Sequence, residues 1–451
     1  MVRKEGGVKA RLCLRGDQEH DKESIRTDSP TVNKVNIKLF YVLATHFGWH
    51  VKTADIKAAF LQGAKLDRDV FVRPPKERRV PGTVWKMIKR AYGLVDASRG
   101  FYLELRKVLE ELGCTVSKHD PALFMYFNDD NELQGMLLSH VDDLIHGAGT
   151  NVFTDKVLNP MKERFTFGNE DENDFTYVGL HVRQIGSTII TDQDAYVTDL
   201  EIPYMDTSNC DLNKELDNEG QAEFRAVVGR IGWIANSSRP DLSYDNLVLS
   251  MKVGHATFRD MKMAIKVTKK LKNDSTKMKF VDLGHTDDWI LEGYGDAGFK
   301  SLPDKLSSCC GYVILVTNKE TGFSSILSWK STKIRRVVGS STAAEALASN
   351  ETLDALVYIR SVLQELLSEQ LRNIPIQLST DSKNLFKSVS TSALVENPRL
   401  RIDIAKLKES IDSGEMKEFF HIPKKEMIAD VLTKQGAAGF QLMNILRTGK
   451  R

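Results

Sequence analysis

The chain has 451 residues, 41% apolar and 27% charged, with 63 Lys and Arg against 61 Asp and Glu for a net charge of +2. That length fits about three domains with real cores, and a near-neutral total does not by itself point to a polyanion partner. Five scattered cysteines (Cys13, Cys114, Cys210, Cys309, Cys310) without CxxC spacing argue against a disulfide framework or a structural zinc, no apolar run approaches a membrane span, and the N-terminus has no apolar signal core; the compartment read from this is a reducing one.

In chain order, VNIKLFYVLATHFGW (35–49) is predicted helical, and VKTADIKAAFL follows with Asp55 in a strand-to-helix position. RGFYLELRKVLEELG (99–113) sets Phe101, Leu105, Val108, Leu109 and Leu112 on one helical face and ends at Gly113. ALFMYFNDDNELQGMLLSHVDDLIHGAG reads as three short strands joined by turns. Polar stretches at 168–174, 205–220 and 273–288 are the candidate domain boundaries. Between them lie short strands (FTYVGLHVRQIGSTIIT) and helices containing AEFRAVVGRIGWIANSSR and the lysine-rich ATFRDMKMAIKVTKKLKN. From Trp289 the pattern is three strands (WILEGYGDAGF, CCGYVILVT, FSSILSWKS), a long helix from Ser341, the strand IPIQLSTDS, a helix, the strand EFFHIP and a last helix. Such an order predicts a mixed sheet with helices packed on it.

Two carboxylate sets stand out. Asp142 and Asp143 sit at a turn between the apolar runs Met136–Leu138 and Leu144–Ile145, where adjacent charges repel unless a cation lies between them. If Asp55 faces that turn, three carboxylates converge, which is the donor set that two Mg²⁺ ions need. Isolated, the Asp-Asp turn would be ordinary solvated surface. In the last block Asp296 lies inside a strand, Glu345 early in the long helix, Asp381 at a strand end and Asp430 at the start of the last helix. A carboxylate within an apolar strand is expensive without a partner, and strand ends are where open α/β sheets place their sites. Glu345 and Asp430 could instead simply favour helix N-termini. The triplet Asp412-Ser413-Gly414 is read as a helix C-cap, not as a protease motif.

Several segments, in this order and spacing, resemble the reverse transcriptase of copia-type LTR retrotransposons: GWHVKTADIKAAFLQGAKLDRDVFVRPP, VWKMIKRAYGLVDASRGFYLEL, HDPALF and HVDDLIHGAG. FRAVVGRIGWIANSSRPDLSY resembles that family's connecting region, and GYGDAGF, ILSWKSTKIRRVVGSSTAAEALA, LSTDSKNL and KKEMIADVLTK resemble its ribonuclease H domain. The similarity spans nearly the whole chain. It implies an α/β and α+β multidomain protein: a right-hand polymerase with partial fingers, palm and thumb, then a connection and a ribonuclease H-like domain with a mixed sheet. The corresponding ranges are 1–167, 168–285 and 286–440, with a tail over 441–451. It also implies two enzymatic activities, RNA-directed DNA polymerase and RNA–DNA hybrid ribonuclease.

Carried over position by position, Asp55, Asp142 and Asp143 match the polymerase metal ligands. Asp296, Glu345, Asp381 and Asp430 match the ribonuclease H acids. Phe60 matches the aromatic that blocks a ribose 2′-hydroxyl, Tyr92 and Gly93 the turn lining the nucleotide pocket, and Lys9 and Arg11 cations that meet the triphosphate. The implied cofactor is Mg²⁺ or Mn²⁺, two ions per site. Implied partners are an RNA or DNA template-primer, an RNA–DNA hybrid and dNTPs, with no membrane. Basic clusters at 76–79, 86–93 and 330–336 would grip nucleic acid by its backbone. The implied location is cytoplasmic, in a virus-like particle if the element is active, or nuclear. Departures are His140 where the family has Tyr or Phe, Leu347 in place of a second acid, and Val95, Asp96 and Ser98 in place of Lys-Gln and Pro. Asp96 puts an acid beside a phosphate-handling turn, which is unfavourable unless it points away. The family also extends upstream of the Lys9 segment, so the alternative is a truncated relic that only binds nucleic acid or keeps ribonuclease H alone.

Overall fold

A computed structural model describes residues 2–4, 7–9, 12–205, 211–367, 374–392, 395–437 and 439–451. Two compact units result: Met1–Ile37 with Trp49–Asn173, and Lys38–Gly48 with Asp174–Arg451.

The first unit begins with a ribbon of β1 (Val2–Lys4) and β2 (Gly7–Lys9). Its centre is an antiparallel sheet in the order β10-β3-β9-β8-β7-β6. These strands are β3 (His50–Ile56), β6 (Thr115–Val116), β7 (Leu123–Phe127), β8 (Leu133–His140), β9 (Asp143–Ala148) and β10 (Phe167–Glu172). A second ribbon pairs β4 (Lys65–Val72) with β5 (Trp85–Lys89). Helix Ala97–Glu111 buries Phe101, Leu105, Val108 and Leu109, the face read from its 3.6-residue spacing, and packs them with Phe124, Leu137, Phe153 and Met161. The buried Asp120 of HDPALF accepts from Asn33 N–H at 2.9 Å and Asn36 Nδ2 at 2.6 Å, pinning the start of helix Lys34–Phe47.

The polar run GNEDEND, read from sequence as a break, is largely strand β10 at the sheet edge. An edge strand tolerates charge because one side of it stays wet, and Lys52–Glu172 and Lys162–Glu170 ion pairs, both 2.7 Å, hold it there.

The second unit contains a four-stranded antiparallel sheet, β11 (Asp174–Tyr177), β12 (Leu180–Ile185), β13 (Thr188–Asp192) and β14 (Met278–Phe280). Helices Asn218–Ala235, Ser243–Ser250 and Phe258–Asn273 share an apolar cluster that includes Phe224, Ile231, Leu249 and Leu271. A five-stranded sheet follows in the order β17-β16-β15-β18-β19. Its strands are β15 (Trp289–Gly298), β16 (Cys309–Asn318), β17 (Ser324–Lys333), β18 (Ile376–Thr380) and β19 (Glu418–His421). The first three are antiparallel and β18 and β19 run parallel to β15, the mixed sheet that the sequence predicts.

Helix Ser341–Leu366 lies on β15 because Gly293 and Gly295 carry no side chain. A Cβ at Gly295 would stand 2.7 Å from Thr352 Oγ1, and one at Gly293 2.6 Å from Leu356 Cδ1.

Two local expectations are corrected. The single helix expected between β18 and β19 is two, Lys383–Ser390 and Pro398–Asp412, because Asn397 caps the second through Arg399 and Leu400 N–H, and Pro398 occupies its first turn. Asp430 does not start the last helix: it opens a 3₁₀ turn, Asp430–Leu432, and the helix is Phe440–Thr448. Ser413-Gly414 does close a helix, with Gly414 at φ 75°. Among the described residues, no helix is long and apolar enough to cross a membrane.

Two candidate carboxylate centres

In the first unit, Asp55 and Asp143 are cross-strand partners at the end of the β3–β9 pair, and Ile56 N–H donates to Asp142 C=O at 3.0 Å. The β8–β9 hairpin closes in two residues, Val141 and Asp142, between the partners His140 and Asp143. Val141 has φ 61°, the left-handed conformation that the first position of a primed turn requires and that a β-branched residue adopts only under strain. The turn therefore holds Asp142 beside the strand pair. Thr53 Oγ1 is 3.4 Å from Asp143 Oδ1 and donates to Leu144 C=O at 2.8 Å.

Asp55 is solvent-exposed, and the β10 bulge opposite it brings Gly168 against its carboxylate. A Cβ at Gly168 would lie 2.7 Å from Asp55 Oδ2, so the chain leaves this carboxylate a cradle that any side chain would fill. The three acids fit a hard divalent cation by donor type. Their ligand atoms are not drawn to one point, however: among the described residues the only such group within 4.8 Å is in the second unit.

Beside this centre, Phe60 and Tyr92 meet with ring centroids 4.7 Å apart at 59°. Gly93, at φ 91°, accepts at its carbonyl from Gly16 N–H, and Tyr92 C=O accepts from Leu14 N–H at 2.7 Å. Lys9 ends β2; its side chain, and Arg11 altogether, lie outside the described residues. Asp96 points away from the turn into a buried guanidinium cage: Arg68 holds it bidentately at 2.8 and 3.0 Å, and Arg90 Nε donates at 2.8 Å. Burial alone would raise its pKa, but the two arginines outweigh that and hold it below the usual carboxylate range.

His146, in β9, is buried and its pKa is pushed down to about 3, first by burial and then by Lys52 and Lys162. A depressed folded value gives stability that is present above the unfolded value near 6.5 and lost as pH falls toward about 3. Between pH 7 and 5 this group is expected to remove about 2 kcal/mol from the first unit's stability. Urea midpoints at the two pH values check it, and His146→Gln should flatten the difference; an unchanged slope would refute the assignment.

In the second unit Asp296, Glu345 and Asp381 come together: one ligand atom from each lies within 4.8 Å of the others. Asp296 sits in β15 with no exposed surface, Glu345 in the first turns of the long helix, and Asp381 just beyond β18. Thr433 Oγ1 donates to Asp296 Oδ2; Lys434 Nζ donates to Asp296 Oδ1 at 3.3 Å and also to Asp430 Oδ1. Asp430 thus reaches the cluster through a lysine. Burial, ahead of any charge effect, raises the Asp296 carboxyl. It pushes Glu345 up to about 9, with Asp296 and Asp381 adding to it. Glu345 Oε2 is buried with no hydrogen-bond partner. An orphaned carboxylate oxygen in a crowd of acids is what a divalent cation would satisfy, so the residues fit such an ion.

Sequence reasoning missed Thr433, Lys434 and Gly168. The signal for Lys434 was its position four residues after Asp430 in ADVLTK; Gly168 carried none, since its importance comes from a long-range strand pairing.

Comparison with known proteins adds the following. The family described as reverse transcriptase (RNA-dependent DNA polymerase) matches residues 2–211. The chain is 27% identical over 450 residues to the retrovirus-related Pol polyprotein from transposon RE2 of Arabidopsis thaliana, covering 94% of this chain and 29% of that protein. It is 24% identical over 463 residues to the corresponding polyprotein from transposon TNT 1-94 of Nicotiana tabacum, covering 94% and 33%. The chain thus spans about a third of the length of these relatives, or less. Among solved structures it is similar to LC11-RNase H1, isolated from compost by a metagenomic approach, with 19% identity, a TM-score of 0.25, and coverage of 32% of this chain and 92% of that one.

Proposed function

We propose that the chain, similar to transposon Pol polyproteins and matched by the reverse transcriptase family over residues 2–211, is an RNA-directed DNA polymerase of copia type fused to a ribonuclease H that cleaves the RNA strand of RNA–DNA hybrids. The observation that carries this reading is the presence of a separate carboxylate centre in each unit, Asp55 with Asp142 and Asp143 in one and the Asp296 cluster in the other.

Asp55, Asp142 and Asp143 would hold Mg²⁺ or Mn²⁺ at the first centre, and Asp296, Glu345, Asp381 and Asp430 at the second. When bound, two ions at each centre supply Lewis-acid neutralisation of phosphate charge. The polymerase residues would orient a primer 3′-hydroxyl for in-line attack on the dNTP α-phosphate. Phe60, tilted against Tyr92, would form an aromatic wall that a 2′-hydroxyl strikes, favouring dNTPs. The cluster in the second unit would orient water against a phosphodiester of the RNA strand. Nucleic acid would be held by backbone and shape, so binding should weaken steeply with salt.

Primer extension on an RNA template with Mg²⁺ tests the reading, alongside cleavage of a labelled hybrid. Expected is extension that Asp142→Asn abolishes and cleavage that Asp296→Asn abolishes. Cleavage without extension would reduce the chain to a ribonuclease H, and neither activity would make it a relic.

A further inference from the structure

Lys434 stands in the wrong place for a bystander. Its ammonium bridges Asp296 Oδ1 and Asp430 Oδ1, the strand acid and the 3₁₀-turn acid of the same centre. Gly436, two residues on, adopts the left-handed conformation at φ 72°. We propose that Lys434 is a stand-in cation: its ammonium holds the carboxylate centre together before metal loading and withdraws as the ion enters. This rests on the reading of the cluster as a metal centre.

Charge explains the first half. Asp296 is fully buried, and carboxylates this close destabilise one another unless a positive charge lies among them. Thr433 offers only a hydroxyl dipole to Asp296, so among the described residues Lys434 is the cation that pairs with that carboxylate. A divalent ion makes the ammonium redundant, and the two charges repel. The structure provides somewhere for the side chain to go. Lys434 also lines a cavity of about 310 Å³ whose walls include Asp241, Asp245 and Asp274. Asp241 already pairs with Arg239 and Lys270, and Asp274 with Arg239 and Arg447. Asp245 has no ion-pair partner among the described residues, which makes it the receiving group. Release thus exchanges the two carboxylates of the centre for a third and does not strand the ammonium.

The exchange separates Lys434 from a purely structural lysine, whose loss would weaken metal binding. It is tested on the full chain carrying Asp143→Asn, so that the first centre does not contribute, by calorimetric titration with Mn²⁺ in the absence of nucleic acid. Lys434→Gln is expected to bind Mn²⁺ about tenfold more tightly, because no ammonium has to be displaced. In chelator its melting temperature should fall below that of the parent. Lys434→Arg keeps the charge and serves as the folding control: it should melt near the parent in chelator and bind no more tightly. Reductive methylation followed by mass spectrometry reads the withdrawal directly, with faster modification of Lys434 expected once Mn²⁺ is added. Unchanged or weaker Mn²⁺ binding by Lys434→Gln, or slower methylation with metal, overturns the proposal. If the Asp143→Asn parent binds no Mn²⁺ at all, the metal-centre reading itself fails and takes this inference with it.

Discussion

Glu345→Gln is expected to abolish hybrid cleavage while making the metal-free protein more stable. The Glu345 carboxyl, pushed up to about 9 first by burial and then by Asp296 and Asp381, is a neutral acid in the fold at pH 7. In the unfolded chain it ionises near its ordinary value of 4.5. The sign follows from linkage: a raised folded value means stability that is complete below about 4.5 and lost as pH climbs toward about 9. At pH 7 the penalty is about 3–4 kcal/mol, and glutamine, neutral and of the same shape, escapes it. An amide is a poor exchange for a carboxylate at a hard cation, so loading and cleavage should both be lost. Chemical denaturation in chelator at pH 5 and pH 7.5 provides the check. The two variants should converge at the lower pH and separate at the higher one. A glutamine variant less stable than wild type at pH 7.5 would show that the acid is not held neutral.

The second large effect belongs to a residue with no chemistry of its own. Gly168→Ala would place a methyl group 2.7 Å from Asp55 Oδ2, well inside contact distance. The Asp55 backbone carbonyl is close behind at 3.2 Å, so the carboxylate, as the freer group, must turn aside. A displacement of about 1 Å at a reacting centre costs on the order of a hundredfold in rate. Primer extension should therefore fall about a hundredfold with hybrid cleavage unchanged. The denaturation midpoint should hardly move, because the site is at the exposed end of a sheet. Extension within twofold of wild type would mean that Asp55 has more freedom than its setting suggests.

What could be read from sequence was what depends on local periodicity. Met136 to Leu138 and Leu144–Ile145 announce a hairpin whose apolar flanks are buried, and Phe101, Leu105, Val108 and Leu109 announce a helical face; both are in the fold as expected. The alternation around Ile376 and Leu378 likewise marks β18. Asp430 was misplaced because Gly436 and Gly439 interrupt what looked like one helical run, leaving a 3₁₀ turn and a later helix. The break before Pro398 was legible in principle, since Asn followed by Pro is a cap followed by a first helical turn. Other features could not be read by spacing at all. The cage of Arg68 and Arg90 around Asp96 joins a strand, the end of another and a helix start, so a residue that looked misplaced beside the Tyr92–Gly93 turn proves to be the buried centre of an ion cluster that also takes in Glu19 and Asp67. Lys434 beside Asp296 is a contact between segments far apart in the chain.

The order of strands in the five-stranded sheet carries a kinetic consequence. β15, β16 and β17 pair antiparallel with their sequence neighbours, a local arrangement that closes quickly. β18 must find β15 across the whole long helix, matching Leu291 to Ile376 in parallel, and Lys434 arrives later still. Contact order therefore predicts that the three-stranded meander, which contains Asp296, closes before Asp381 and Lys434 reach it. Recovery of the carboxylate centre should lag behind recovery of sheet signal, and the lag measures how long a buried-to-be carboxylate waits for its partners.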